Sequence, residues 1–201
     1  MFDVLIIGGG VAGVSCALIL GSAHKKAFVQ DKKIGILTHQ RGGNLQDALL
    51  NNVYGIPFGK SGSEVMHESL EHLNNYSHIE QIPNQKVIEV IPFSNYYQVR
   101  TNDNIYEAKI VVVAVGASNI FNIEGLNQYI IPHKKSIPEK NRIQLTNEDH
   151  RVSENLYVAG VLAGHRSQVA IASGSGASVA TDILTLWNNG TQSHSHDSIR
   201  K

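Results

Sequence analysis

The sequence predicts an α/β domain with a parallel central sheet, helices on its faces and a small antiparallel β meander. Three observations carry that expectation. Ile110 to Val115 is a continuous apolar run closed by Gly116, as in a strand buried on both faces of a parallel sheet, and Leu156 to Ala159 repeats the pattern before Gly160. A glycine cluster, Gly8 to Gly13, joins the β-rich run Asp3 to Ile7 to the helical stretch Val14 to Leu20. From Lys86 to Tyr106 the pattern changes to short alternating runs separated by Asn and Ser, the mark of hairpins.

Taken in order, the first strand and helix are followed by a second short strand, Ala27 to Gln30, ending at Asp31. Arg41, Gly42, Gly43 and Asn44 form a glycine-rich loop, and Asn51 to Gly59 is punctuated by Asn, Gly and Pro in the manner of an ordered loop. Ser61 to Asn74 reads as a helix, with Val65, Met66, Leu70 and Leu73 at helical spacing. Val87 to Ile91, Tyr96 to Thr101 and a strand ending near Glu107 and Ala108 make the meander. A helix of small residues runs from about Val169 to Trp187, closing a single domain over residues 1–187. Asn188 to Lys201 is polar and reads as a flexible, frayed tail.

The chain has 201 residues, 42% of them apolar, and 17 Lys plus Arg balance 17 Asp plus Glu. No net basic field draws it to nucleic acid or to an anionic membrane. The first apolar run is too short for a signal peptide, and no stretch reads as the ~18 apolar residues of a membrane span. The expectation is a cytosolic protein. A single cysteine, Cys16, excludes an internal disulfide and a CxxC pair from this sequence, and its place near the start of a helix suits a buried, inert thiol. Ten histidines are scattered without zinc-type spacing, so no metal site is expected; His194 and His196 lie in the polar tail.

The string GGGVAG contains G-x-G-x-x-G between a strand and a helix, a context that makes it a Rossmann-like dinucleotide motif. Gly8 permits the tight turn, Gly10 lets backbone approach a pyrophosphate, and Gly13 lets helix and strand pack closely. Val11 and Ala12 place main-chain N–H groups at the helix start, facing the anion. Asp31 stands roughly 20 residues beyond the glycines, where an acid meets the ribose hydroxyls. On these residues alone FAD and NAD remain alternatives.

The order of the remaining motifs resembles the FAD domain of the thioredoxin reductase group, within the pyridine nucleotide-disulfide oxidoreductases. RGGNL (Arg41 to Leu45), NVYGIP (Asn52 to Pro57), GSEVM (Gly62 to Met66), YQVRT (Tyr97 to Thr101), YEAKIVVVAVGAS (Tyr106 to Ser118), NLYVAG (Asn155 to Gly160) and QVAIASGSGASVA (Gln168 to Ala180) follow the family's sequence of segments. The resemblance implies FAD as cofactor. It places backbone of Lys86 and Val87 against the adenine, and Ala114, Val115 and Gly116 close to the dinucleotide. It places Asn44, Leu45 and Asn52 along the flavin side, with Gly43 in the same binding loop; Arg41 either binds the pyrophosphate or caps the loop. N–H groups at Gln168 and Val169 would face the flavin N1 and C2 carbonyl, where reduction builds negative charge. His165 and Arg166, just before that helix, read as solvated turn residues.

Two departures from the family qualify this. At Gly160 and Val161 the family has a Gly-Asp pair whose acid bonds the ribityl chain; losing one such bond costs about 1 kcal/mol, a few-fold to tenfold in affinity. The stretch from Gly116 to Asn155 holds no second glycine motif and is too short for the family's inserted nicotinamide domain of on the order of 100 residues. Reductant and oxidant would then have to reach the flavin directly or through a redox partner, small molecule or protein, that the sequence does not identify. The expected function is an FAD-binding oxidoreductase or flavin electron carrier. A degenerate FAD-binding sensor or scaffold, and an NAD-binding Rossmann protein, are the alternatives. The family's habit of pairing through this domain implies a homodimer.

Overall fold

Every residue of the first strand, β1 (Phe2–Ile7), is buried, and the other elements are arranged around it. The computed structural model describes residues 1–39, 45–118 and 120–196. After the glycine turn comes α1 (Val11–Ser22), and β2 (Ile34–Thr38) then returns parallel to β1, setting Val4 beside Ile34 and Ile7 beside Leu37. Two-residue strands β3 (Leu49–Leu50) and β4 (Lys60–Ser61) pair with each other and lead into α2 (Gly62–Leu73). β5 (Ile79–Pro83) adds parallel to β2. β6 (Val87–Pro92) and β7 (Tyr97–Thr101) form the meander, which continues into β8 (Ile105–Val113). β9 (Ile130–Pro132) and β10 (Ile143–Leu145) make a separate ribbon; β11 (Arg151–Ser153), β12 (Leu156–Val158) and α3 (Val169–Trp187) complete the chain.

The main sheet runs β11-β12-β8-β1-β2-β5, with β12, β8, β1, β2 and β5 parallel. Alternate residues of each strand face opposite sides. Val4, Ile6, Ile34, Ile36, Ile110 and Val112 meet the helices, with Ala17, Leu20, Val179 and Ile183 opposite them. Leu5, Ile7, Leu37, Val111 and Val113 face Val99, Leu126, Leu145 and Leu162, so the other side is closed by the meander and the segment after it.

Two strand boundaries differ from the sequence reading. Ala27 to Gln30 is not a strand: Val29 N–H donates to the Lys26 carbonyl and Lys32 N–H to that of Val29, closing helical turns that bury Val29 beneath the sheet's helical side. The second strand lies further on, at Ile34–Thr38, where Gly35 leaves room for Phe2 and Leu5, whose side chains would stand 2.7 and 2.8 Å from a Cβ. The runs expected to break near Ala108 are instead one nine-residue strand, β8. Its first part pairs antiparallel with β7 and its second parallel with β1 and β12. Lys109 interrupts the apolar pattern but not the strand, because its ammonium reaches Asp3 Oδ1 at 3.0 Å.

α3 meets the length and composition of a membrane-crossing helix. Its buried residues Ser175, Gly176, Val179, Ala180, Ile183 and Leu184 form one stripe, and that stripe packs on α1 and the sheet as in a core helix. Gly176 sets the approach: a Cβ there would stand 1.9 Å from the Ala12 carbonyl oxygen. One turn away, Ser15 Oγ donates to the Ser173 carbonyl at 2.8 Å. Beyond α3, residues expected to fray fold back instead. Ser193 is buried, its N–H donates to Thr185 Oγ1, and the Ser22 and Ser195 hydroxyls meet at 2.8 Å.

A matched pair of substitutions tests the α1–α3 contact. Gly176→Ala forces backbone apart and lowers unfolding free energy by roughly 1–3 kcal/mol. Gly174→Ala, whose new Cβ meets nothing within 4 Å, is neutral or raises it by up to about 1 kcal/mol through helix propensity. Urea unfolding of the two variants gives the comparison.

Candidate functional site

The carboxyl ends of β1, β2 and β8 are tied together at the glycine turn. Gly8 N–H donates to the Leu37 carbonyl at 2.9 Å, and Ala114 N–H to that of Ile7 at 2.8 Å. Gly8 has φ +119, and a Cβ on it would lie 2.6 Å from the Ala114 oxygen; a Cβ on Gly13 would lie 1.9 Å from the Gly8 oxygen. These two glycines close the turn onto the sheet and the helix. Gly10 and Gly116 differ, because an added Cβ meets nothing at either place. Both line open space beside the turn.

That open space is a chain of clefts around the start of α1. The first, about 300 Å³, is bounded by the glycine turn, by Thr38 and His39 at the end of β2, by Gln85, Lys86 and Val87, and by Ala114, Val115 and Gly116. It shares Gly9, Gly10 and Met66 with a second, apolar cleft among Val14, Leu18, Tyr54, Ile56 and Val65. The second shares Val11, Leu45 and Val169 with a third, which holds Asn52, Val161 and Gln168.

Two helices begin on these clefts, and neither is capped by a side chain. α1 starts from Gly10, and Val14 N–H makes its first intrahelical bond, which leaves the N–H groups of Val11, Ala12 and Gly13 without helical partners. α3 starts from Gln168, with Ala172 N–H the first bonded, leaving those of Val169, Ala170 and Ile171. Neither first turn carries an acid. α2, by contrast, has a complete capping box between Ser61 and Glu64. The helix ends that face the clefts are the ones left with unneutralised positive dipole ends.

Most of the residues expected to bind therefore converge on one continuous surface. Ala12, Gly13 and Gly160 stand behind it and hold its shape. Arg41, Gly43 and Asn44 lie outside the described residues. Asp31 does not join the site: it precedes β2, at the end of the strand away from the glycine turn, because the strand is displaced along the chain. Thr38 and His39 occupy the strand end where an acid was expected. Cys16 is fully buried, and burial pushes its thiol pKa well up.

The sequence reading missed a set of histidines under the Gly160 turn. Gly160 has φ +75, and its N–H donates to Ser175 Oγ at 2.8 Å. Ser175 Oγ lies 3.0 Å from His150 Nε2, which lies 3.0 Å from His165 Nε2. His133 Nε2 stands 3.1 Å from the Val161 carbonyl and 3.2 Å from that of His165, so this nitrogen carries the hydrogen while Nδ1 accepts from Lys135 N–H. His165 was expected as a solvated turn residue and is instead half-buried in this network. The three histidines are far apart in sequence, and only the close approach of the β9–β10 segment, the β11 turn and the Gly160 loop reveals them. Among the described residues no group of His, Cys, Asp or Glu has a metal-binding arrangement.

A parallel sheet, a glycine turn at its carboxyl edge and uncapped helix starts on a continuous cleft define an α/β dinucleotide-binding protein. The chain belongs to the pyridine nucleotide-disulphide oxidoreductase family, whose model matches residues 2–176. It is 27% identical over 198 residues to CzcO of Bacillus velezensis, described as an uncharacterized oxidoreductase (91% of this chain, 52% of that protein). It is 24% identical over 164 residues to a ferredoxin–NADP reductase of Pediococcus pentosaceus (80% and 47%). The chain thus spans about half the length of the curated relatives it matches. Its fold is like that of a thioredoxin reductase from Gloeobacter violaceus, with TM-score 0.74 at 16% identity over 99% of each chain. The thioredoxin reductase of Streptococcus pyogenes gives 0.70 at 15%, covering 94% of this chain and 99% of that one.

The histidine network makes the Gly160 region pH-dependent. Desolvation by burial lowers the pKa of His150 and of His165, the latter aided by the nearness of His150 and Lys135, while Asp149 opposes the shift at His150. A lowered folded-state pKa means that the unfolded chain takes up protons first. Stability is therefore full above about pH 6.5, the unfolded histidine value, and is lost as pH falls below it. Melting temperature followed from pH 8 to 5 shows this loss in the native protein, and a His150→Asn, His165→Asn double variant shows less of it.

Proposed function

We propose that this chain is an FAD-binding oxidoreductase or flavin electron carrier. The observation that carries the reading is the pair of uncapped helix starts along one chain of clefts, that of α1 midway and that of α3 towards one end, which suits a long dinucleotide with a pyrophosphate in its middle and a redox ring at one end. Gly10 and Gly116 present backbone to open space, where such a group would approach them closely. Main-chain N–H groups of Val11 and Ala12 would hold the pyrophosphate. The first cleft, with Lys86 and Val87 on its wall, would take the adenosine. Leu45, Asn52, Val161, Gln168 and Val169 would surround the isoalloxazine in the third. When bound, FAD would supply the acceptance and release of electrons.

The chain's own contribution is electrostatic. N–H groups at the start of α3 stabilise negative charge where it gathers on reduction, and so favour the reduced anion. Val161 turns an apolar side chain to the third cleft, so the ribityl chain loses the acid that the family resemblance leads one to expect. Ser175 and His133 hold that turn through the backbone of Gly160 and Val161. This sequence holds a single cysteine, and the stretch from Gly116 to Asn155 is too short for the nicotinamide domain of the resembled family, which supports a reading without either. Electrons would then enter and leave at the flavin itself, through a small-molecule or protein partner, in the cytosol and in a homodimer. The apolar Val161 also favours a second reading, an FAD-binding module that does not turn over.

Purified protein should be yellow, with flavin absorption in the near-ultraviolet and blue, or become so on adding FAD. Colourless protein that takes up no FAD overturns the proposal. Gly10→Ala should weaken FAD binding by about tenfold, because its Cβ enters the pyrophosphate path while meeting no protein atom within 4 Å. Its unfolding midpoint without FAD should match that of the native protein. Anaerobic reduction by NADH or NADPH with onward transfer to an acceptor separates the electron carrier from the inert module.

A further inference from the structure

We propose that His150 and His165 are a positioning pair: by sharing one hydrogen they hold the turn of residues 160–168, and acid, by charging both rings, releases the turn and the FAD it faces. The effect on FAD rests on reading the third cleft as the flavin end, which Val161, Ser167 and Gln168 line from this turn. The turn is pinned from behind. Ser175 Oγ accepts from Gly160 N–H at 2.8 Å, His133 Nε2 reaches the carbonyls of Val161 and His165, and Asn147 Nδ2 donates to the Ala163 carbonyl at 3.2 Å. His150 joins these pins to one another. Its Nε2 lies 3.0 Å from Ser175 Oγ, and its backbone N–H donates to Asn147 Oδ1 at 3.2 Å. It sits on left-handed backbone, with φ +42 at Asp149 and +71 at His150, a conformation that persists only where surrounding contacts enforce it.

The two Nε2 atoms are 3.0 Å apart, so one must present a hydrogen and the other a lone pair. One added proton is tolerated, because it can settle on Nδ1 of the donating ring and leave the shared hydrogen in place. A second puts hydrogens on both facing nitrogens and two like charges at contact distance, and the rings must part. His150 then leaves Ser175, and the turn that carries Asn147 moves with it. The surrounding charges leave this balance to the pair. His150 faces Asp149 on its own turn and the uncharged Ser175 on α3, while His165 faces Lys135 and His133 from the stretch between β9 and β10. Asp149 offsets one charge, and Lys135 opposes a second. Burial lowers the pKa of both rings, so both are uncharged near neutral pH, and His165, only half-buried, is within reach of protons from solvent.

Two measurements on the full chain test this. In flavin-free protein, nuclear magnetic resonance titration from pH 8 to 5 should shift the Gly160 amide in the same pH window as the His150 and His165 rings. FAD affinity, followed by flavin fluorescence, should be level from pH 8 to about 6.5 and weaken at least about tenfold by pH 5, since each proton taken up on release contributes up to about one decade per pH unit. His165→Gln, which cannot take up the second charge and offers His150 an uncharged partner, should flatten that change to under about threefold. His72→Gln, at an exposed position on α2, should keep it in full. A Gly160 amide indifferent to the ring titrations, or an acid-induced loss of FAD that His165→Gln leaves in full, overturns the proposal. FAD affinity that stays level down to pH 5 sinks this inference alone. Failure of the flavin reading looks different: no FAD uptake at any pH, with the Gly160 amide still following the rings, sinks that reading and sustains the pair as the holder of the turn.

Discussion

Backbone touching backbone at Gly8, Gly13 and Gly176 is the constraint on which the site depends. The Gly13 position lies against the Gly8 oxygen, and Gly176 lies against the Ala12 oxygen, each too near for even a methyl group. Together they pull the start of α1 onto the end of β1 and pull α3 across α1. Because interiors are close-packed, a single added carbon at either contact is transmitted to the neighbours as a shift. The helix starts that border the cleft are held by these contacts in the same frame as the strand ends. The polar surface is therefore placed by the apolar core.

Hydrogen bonding follows the same division between inside and cleft. α2 satisfies its first turn with its own Ser61 and Glu64, while α1 and α3 leave theirs available. Under the Gly160 turn the opposite policy holds: Ser175, His150, His165 and His133 account for the backbone and ring groups that burial would otherwise leave costly. The turn that faces the third cleft is supported from behind by polar bonds. Its front is apolar at Val161.

The glycine motif, the helix boundaries and the buried strands were legible because each rests on local chemistry. Ser61 and Asn74 bound α2 in the sequence and flank it in the structure as its two caps. Val169 and Trp187 likewise mark α3. What failed was the phase of an element whose signal competed with another. Ala27 to Gln30 and Ile34 to Thr38 are both short and β-rich, and only pairing with β1 and β5 selects the second. The misplaced strand carried Asp31 into the expected site and left Thr38 and His39 out. The histidine network was beyond reach for a different reason. Its members sit in three separate segments that share no pattern, and long-range topology alone assembles them.

The ribbon segment offers a consequence for the growth of such proteins. Ile143, the first residue of β10, donates its N–H to the Ala117 carbonyl at 3.3 Å, so the stretch between them is closed at two neighbouring points just beyond the end of β8. Closing a loop between two adjacent anchors costs entropy only logarithmically, about 0.6 kcal/mol for each doubling of its length. The core beneath would hardly register whether that loop held a short ribbon or a whole independently folded body. Ala117 and Ile143 thus act as a socket, and what is plugged into it can change without renegotiating the domain that carries it.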